Sequence, residues 1–288
     1  MNASDICNRI TLAKRSQAGL IAYILTKDEV LGEKLNYCGS WLHFREWVNC
    51  GETRLMNAMF CKKHLVCMAC AVRRAGKMNE AYRVKVKQVQ GELPGLIPAM
   101  VTLTVKNGGD LSERIGHLKA SWSNMLAAKR KGASNSRKNA PIEWNKVHGS
   151  IRAMEITKAK DGQWHPHFHV FVLLRDYICQ PTLSSDWQRF TGDSFVVGVT
   201  RCKGGVEAGL REVLKYSCKF SSLDVADTLH VHNVCNGSRL IDPQGVLRGV
   251  QVPEIESDTI EPELTGATRD LIARWFSPKQ HYRLRYRK

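Results

Sequence analysis

Two histidines, His167 and His169, open an aromatic and β-branched run over residues 167–174. Strand side chains alternate between faces, so both imidazoles point one way with Phe171 and Leu173. Phe168, Val170 and Val172 point the other way. Two imidazoles side by side on a sheet face are costly unless they share a ligand or a solvent-filled cleft, and a divalent ion is the usual ligand. The alternative is a pair of hydrogen-bonded histidines at a sheet edge. Just upstream, residues 150–157 read as another strand. Residues 158–163, with Asp161 and Gly162, carry a hairpin signal. The hairpin adds Glu155, a carboxylate among Ile151, Met154 and Ile156 that needs a partner. Two histidines and one carboxylate make a small facial site with open positions, suited to Mg²⁺ or Mn²⁺ gripping a phosphate. The competing reading of Glu155 is a surface ion pair.

Two further groups carry chemistry. Residues 206–219 have helical spacing, with Val206, Leu210, Val213 and Leu214 on one stripe. Glu212, Tyr216 and Lys219 share the opposite face. A phenol, of pKa about 10, needs a metal-polarised phosphate or nearby positive charge to act as a nucleophile. Arg211, Lys215 and Lys219 offer charge. Taken alone, Tyr216 is an ordinary amphipathic tyrosine. Cys61, His64, Cys67 and Cys70 have the ligand spacing of a short zinc knuckle. Cys61, Cys67 and Cys70 are the expected ligands of a structural Zn²⁺, and Cys38, Cys50 and His64 compete for the fourth place. A cluster of buried free thiols is the alternative. Arg73, Arg74 and Lys77 follow, either presented to DNA by the knuckle or forming a solvated helix face.

The rest of the chain must position these groups. It has 288 residues, 43 Lys and Arg against 27 Asp and Glu, and a net charge of +16. Such an excess asks for a polyanionic partner, and nucleic acid is the default. The hydrophobic content of 43% supports a core and excludes general disorder. No apolar run approaches the roughly 18 residues of a membrane span. Residues 1–15 lack a basic segment followed by an apolar one, so no secretory signal is read and a cytoplasmic location is expected. Ten cysteines in such a chain argue for metal or free thiols rather than disulfides. Residues 73–90 read as a basic helix ended by a breaker at 91–95. Residues 99–105 alternate as a strand. Residues 111–130 form a helical stripe through Leu111, Ile115, Leu118, Trp122 and Met125. Residues 129–146 read as a polar, basic loop, 182–191 as a short helix and 195–201 as a strand. Residues 251–263 are acidic with two prolines and suggest a surface segment. Residues 270–276 read as a short helix, and 281–288 as a basic, aromatic tail or nucleic-acid contact.

Together these pieces resemble the HUH endonuclease superfamily and, more closely, the rolling-circle replication initiators of small plasmids. Residues 101–105 resemble the first motif strand. Residues 165–172 resemble the metal motif, with His167 and His169 as its histidines. Glu212, Tyr216 and Lys219 resemble the tyrosine motif of a single-tyrosine plasmid branch. Residues 60–74 resemble the cysteine-rich segment of that branch, whose pattern favours Cys38, preceding Gly39, as the fourth ligand. The matches span about residues 38–220.

The resemblance implies an α+β fold: an HUH endonuclease-like central antiparallel sheet with flanking helices, plus an N-terminal zinc-knuckle-like element. It divides the chain into a cysteine-rich basic region (1–95), a nickase domain (96–225) and a C-terminal extension (226–288). It implies a site-specific nick in plasmid origin DNA, single-stranded or in a hairpin. An ion held by His167, His169 and Glu155 would polarise the scissile phosphate. Tyr216 would attack it, leaving a 5′-phosphotyrosyl link and a 3′-OH for a host DNA polymerase. Glu212 would activate water for a second cleavage, since no second tyrosine stands on the helix, and Lys219 would offset charge. No glycine-rich phosphate loop of a motor appears, so unwinding falls to a host helicase. No membrane partner is expected. A single-tyrosine transposase or relaxase on the same fold is one rival. A non-catalytic zinc-dependent nucleic-acid-binding protein is the other.

Overall fold

The computed structural model describes residues 2–132, 141–215, 223–252 and 266–287. In chain order the helices are α1 (Ala3–Ser16), α2 (Ala18–Lys27), α3 (Glu29–Tyr37), α4 (Met68–Glu92), α5 (Leu111–Gly132), α6 (Gln180–Thr191), α7 (Gly205–Lys215) and α8 (Val225–Cys235). The strands are β1 (Trp41–Trp47), β2 (Glu52–Ala58), β3 (Ile97–Thr104), β4 (Val147–Lys158), β5 (Trp164–Leu174), β6 (Val197–Arg201), β7 (Ile241–Gly245), β8 (Thr268–Phe276) and β9 (His281–Tyr286). The fold is α+β with two antiparallel sheets. Contacts group the chain into two units, Met1–Lys77 with Val252–Lys288, and Met78–Gln251. Among the described residues no helix is long and apolar enough to cross a membrane.

The second unit is built on a five-stranded sheet of order β6-β3-β5-β4-β7. The β4–β5 hairpin is its centre. Its turn closes with Ala159 N–H on the carbonyl of Gln163 and Gly162 at φ +80°, a conformation that favours glycine. β5 is buried along almost its whole length, because helices cover both faces. On one face Trp122 of α5 meets Phe168 edge-on at 5.7 Å and Trp144 at 5.4 Å. On the other, Met78, Tyr82, Val86 and Val89 of α4 and Leu210, Val213 and Leu214 of α7 enclose Ile151, Ala153, Phe171 and Leu173.

The first unit carries a four-stranded sheet of order β2-β1-β8-β9 with helices α1 to α3. Asn2 and Asp5 form a capping box that starts α1. Here the structure corrects the short helix read over residues 270–276: that segment is β8, paired with β1 and with β9. The pairing is non-local, and it supplies backbone hydrogen bonds that local spacing does not reveal. Part of the loop read over 129–146 is helical: α5 runs through Gly132 and a 3₁₀ turn occupies Glu143–Lys146, while residues 133–140 lie outside the described residues. The segment 226–288 gives most of α8 and all of β7 to the second unit, and β8 and β9 to the first.

Candidate functional site

Strand register builds the histidine site. β4 and β5 pair so that Glu155 stands opposite His167 and Ala153 opposite His169. From the other side, β3 sets Thr104 opposite His167 and Thr102 opposite His169. Opposite residues of an antiparallel pair share a face, so the carboxylate and both imidazoles converge. Oε2 of Glu155 lies 2.9 Å from Nε2 of His167 and 2.9 Å from Nε2 of His169. Glu155 and His167 are buried, at 6% and 8% exposure. His169 is half-buried.

The donor chemistry of this group fits a cation. Nδ1 of His167 donates to the carbonyl oxygen of His165 at 3.1 Å. A carbonyl only accepts, so the neutral ring keeps its proton on Nδ1 and turns the Nε2 lone pair toward the carboxylate. Two acceptors then face each other at hydrogen-bond distance. Protonation of the ring or a shared cation resolves the conflict. Burial alone raises the pKa of Glu155. Its hydrogen bonds and charge interactions with His167 and His169 outweigh burial and hold the carboxyl well below the usual carboxylate range. The ligand atoms of Glu155, His167 and His169 all lie within 4.8 Å of one another. Two imidazole nitrogens and one carboxylate oxygen suit Mg²⁺ or Mn²⁺ with positions left for a phosphate.

Supporting contacts extend along the same face. Oγ1 of Thr102 is 3.4 Å from Nδ1 of His169. His165 stacks at 5.0 Å from His167, and its Nδ1 lies 2.6 Å from Oδ1 of Asn107. Burial, then the neighbouring His167, lower the His165 pKa. Sequence reasoning left out His165, although it shares the strand parity of His167 and His169.

α7 packs on this face of the sheet. At Gly209 of α7 a Cβ would meet Cys202 Sγ at 2.6 Å and the Phe171 ring at 2.8 Å. Glu212 is half-buried and pairs with Lys215 at 2.5 Å. It does not belong to the three-residue group. Tyr216 and Lys219 lie outside the described residues.

In the first unit, Cys38, Cys61, Cys67 and Cys70 converge, their Sγ atoms within 4.8 Å of one another. Cys38 follows α3, Cys61 follows β2, Cys67 precedes α4 and Cys70 sits in its first turn. The Cys38–Cys70 and Cys61–Cys70 sulphurs are 3.6 Å apart, and Cys38–Cys67 3.5 Å. A tetrahedron with Zn–S bonds of about 2.3 Å has edges of about 3.8 Å, so the group fits zinc. All four cysteines are free of disulfides. The fourth member is Cys38; Cys50 is exposed, and His64 is not in the group. Hydrogen bonding to Cys38 lowers the pKa values of Cys61 and Cys67. Cys38 is raised chiefly by its contact with Cys61, and Cys70 by its contact with Cys38.

Beside this group the buried Lys14 donates to the carbonyls of Cys38 at 2.7 Å and Asn36 at 2.8 Å. Burial lowers its pKa, and the cysteine charges of Cys38, Cys67 and Cys61 oppose that. Sequence reasoning missed Lys14. The signal was a lysine on the apolar stripe of Ala3, Cys7 and Ile10. Arg73, Arg74 and Lys77 lie on α4, all half-buried, and the Arg73 guanidinium covers the Phe60 ring at 4.8 Å.

A sequence profile described as replication protein matches residues 52–283. Three similar proteins are each named "Protein rep". One from Bacillus amyloliquefaciens is 29% identical over 231 residues, covering 73% of this chain and 63% of its own length. The chain thus spans just under two thirds of that relative. One from Bacillus sp is 27% identical over 255 residues, 76% of this chain and 78% of its own length. One from Lentilactobacillus hilgardii is 25% identical over 268 residues, 81% of each. No solved structure matches the chain.

Proposed function

The chain belongs to the replication protein family, and from that membership we propose that it initiates rolling-circle replication of a plasmid by nicking one strand of the origin. The observation that carries this reading is the convergence of Glu155, His167 and His169 at the centre of the sheet, on the face where α7 packs. We assign the nicking chemistry to an HUH-like domain over residues 96–225.

Glu155, His167 and His169 would hold the ion. Contacts at Nδ1 orient both rings, from the His165 carbonyl and from Thr102. When bound there, Mg²⁺ or Mn²⁺ supplies Lewis-acid polarisation of the scissile phosphate. Tyr216 is the nucleophile. Its phenol gives up a proton and its oxygen bonds to phosphorus. The bond from phosphorus to the 3′ oxygen breaks, and that oxygen leaves and takes up a proton. The products are a 5′-phosphotyrosyl ester and a 3′-OH that a host DNA polymerase extends. One phosphodiester replaces another, so the ends can be rejoined. Glu212 activates water for the second cleavage, and Lys219 offsets phosphate or phenolate charge.

Cys38, Cys61, Cys67 and Cys70 hold a structural Zn²⁺ that fixes the segment around them. Arg73, Arg74 and Lys77 contact origin DNA, for which the net charge of +16 is suited. A host helicase unwinds the duplex in the cytoplasm. The test is incubation with a single-stranded oligonucleotide covering the origin hairpin and Mn²⁺, read by denaturing gel and peptide mass spectrometry. The expected adduct sits on Tyr216 and is lost in Tyr216→Phe. An adduct on another tyrosine retains the nickase and displaces Tyr216. Tight binding without any adduct supports a non-catalytic nucleic-acid-binding protein.

A further inference from the structure

The four-stranded sheet of the first unit has two unlike faces. Leu42, Phe44, Leu55, Leu271, Ala273 and Tyr282 share one face and are buried. On the other face the register places Trp41 opposite Arg274 and Arg274 opposite Arg283. The next row sets His43 opposite Ile272 and Ile272 opposite Arg285, and Phe276 stands opposite His281. None of these positions is buried, and Arg274, Arg283 and Arg285 are exposed.

The outer face of a one-sided sheet ordinarily mixes charges of both signs. Here Arg45 pairs with Asp270 at 3.0 Å, so one corner is neutralised. Among the described residues Arg274, Arg283 and Arg285 make no ion pair. The Arg283 guanidinium lies over the Phe276 ring at 3.5 Å from its centroid. A cleft of about 460 Å³ runs along this edge, lined by Arg274, Phe276, Arg283, Arg285 and Arg287 among others. Exposed cationic forks and half-buried aromatic rings therefore share this strand surface.

We propose that this face binds single-stranded DNA: phosphates on Arg274, Arg283 and Arg285, bases stacked on Trp41 and on the Phe276–Arg283 pair. Charge complementarity selects a polyanion. The flat faces of the rings select unpaired bases, since a duplex hides the base planes that stacking requires. The proposal rests on the nickase reading only for DNA as the nucleic acid.

The test is fluorescence anisotropy of the full-length protein with a labelled 20-nucleotide single strand and with the matching duplex, in 0.1 M salt without added Mg²⁺ or Mn²⁺. The variant is Arg274→Glu, Arg283→Glu, Arg285→Glu. Its control is a charge-matched variant at the exposed positions Arg9, Lys27 and Lys34. Single-strand affinity is expected to fall on the order of 100-fold in the sheet variant. The slope of log K against log salt should fall by about 2, or about 0.7 per lost phosphate contact. The control should lose far less, and duplex affinity should change less than single-strand affinity. Equal losses in both variants, equal losses for duplex and single strand, or unchanged affinity would each overturn the proposal. If the triple variant does not fold, Arg285→Gln alone should lower single-strand affinity several-fold with a slope change of about 0.7, and no change overturns it. The readout is binding, so absence of a tyrosine adduct in the wild type sinks the nickase reading and leaves this one standing.

Discussion

Four thiols in one unit and a carboxylate with two imidazoles in the other answer the same need, convergent lone pairs, in different ways. The cysteines come from three separate segments of chain, and Cys38, Cys67 and Cys70 are each at most 2% exposed. Four sulphur donors complete a tetrahedron and leave no position for a substrate. Glu155, His167 and His169 come from one hairpin of a regular sheet, and His169 remains half-buried. Three donors leave positions open, and one edge of the group is accessible. The donor count and the open edge, rather than the mere presence of metal-binding residue types, separate a group that holds a fold from one that can do chemistry.

The largest effect is expected at the cysteines. Cys67→Ser is expected to abolish zinc retention, measured by elemental analysis of the purified protein. It should also destabilise the first unit by several kcal/mol in urea, because binding energy at a structural site is folding energy. His167→Ala should do the opposite: zinc content stays at one per chain, while the rate of adduct formation falls about 1,000-fold. That factor corresponds to several kcal/mol of lost charge stabilisation at the phosphate.

Gly209→Ala forces a Cβ against Cys202 and Phe171 at the contact between α7 and the sheet. It should cost about 1–3 kcal/mol in urea, and Cys202→Ala in the same chain should recover part of that. Lys14→Met removes the donor to Cys38 and Asn36. It should weaken zinc retention about tenfold in a chelator competition, without changing Mn²⁺ binding at the histidines. The smallest effect is on pH dependence. The Glu155 pKa is depressed in the folded chain. The stability it contributes is therefore full above the ordinary carboxylate value near 4.5 and is lost as pH falls through the folded value. In metal-free urea titrations, the stability gap between wild type and Glu155→Gln should narrow below about pH 4.5.

Much of the second unit was legible because its signals are local. Alternation marked β5, the Asp161–Gly162 turn marked the hairpin, and the two together brought Glu155 to the histidines. The stripe from Leu111 to Met125 marked α5. The first unit was harder to read because its sheet is assembled from the two ends of the chain. β8 pairs with β1 across more than 200 residues of sequence, and apolar Ile272 and Phe276 on its outer face blur the alternation. Three helix starts are not read from the sequence despite N-cap residues, Asn2 before α1, Asp28 before α3 and Asp224 before α8. Spacing left the fourth ligand open between Cys38, Cys50 and His64, since a non-local ligand is fixed only by the fold around it.

The most direct test of the division between the two sites combines elemental analysis and nicking on the same preparations of wild type, Cys67→Ser and His167→Ala. One zinc per chain is expected in wild type and in His167→Ala, and none in Cys67→Ser. The DNA adduct of the wild type is expected to require added Mn²⁺ or Mg²⁺ and to form about 1,000-fold more slowly in His167→Ala. Loss of zinc from His167→Ala, or adduct formation that is indifferent to both the added ion and His167, would contradict this division of roles.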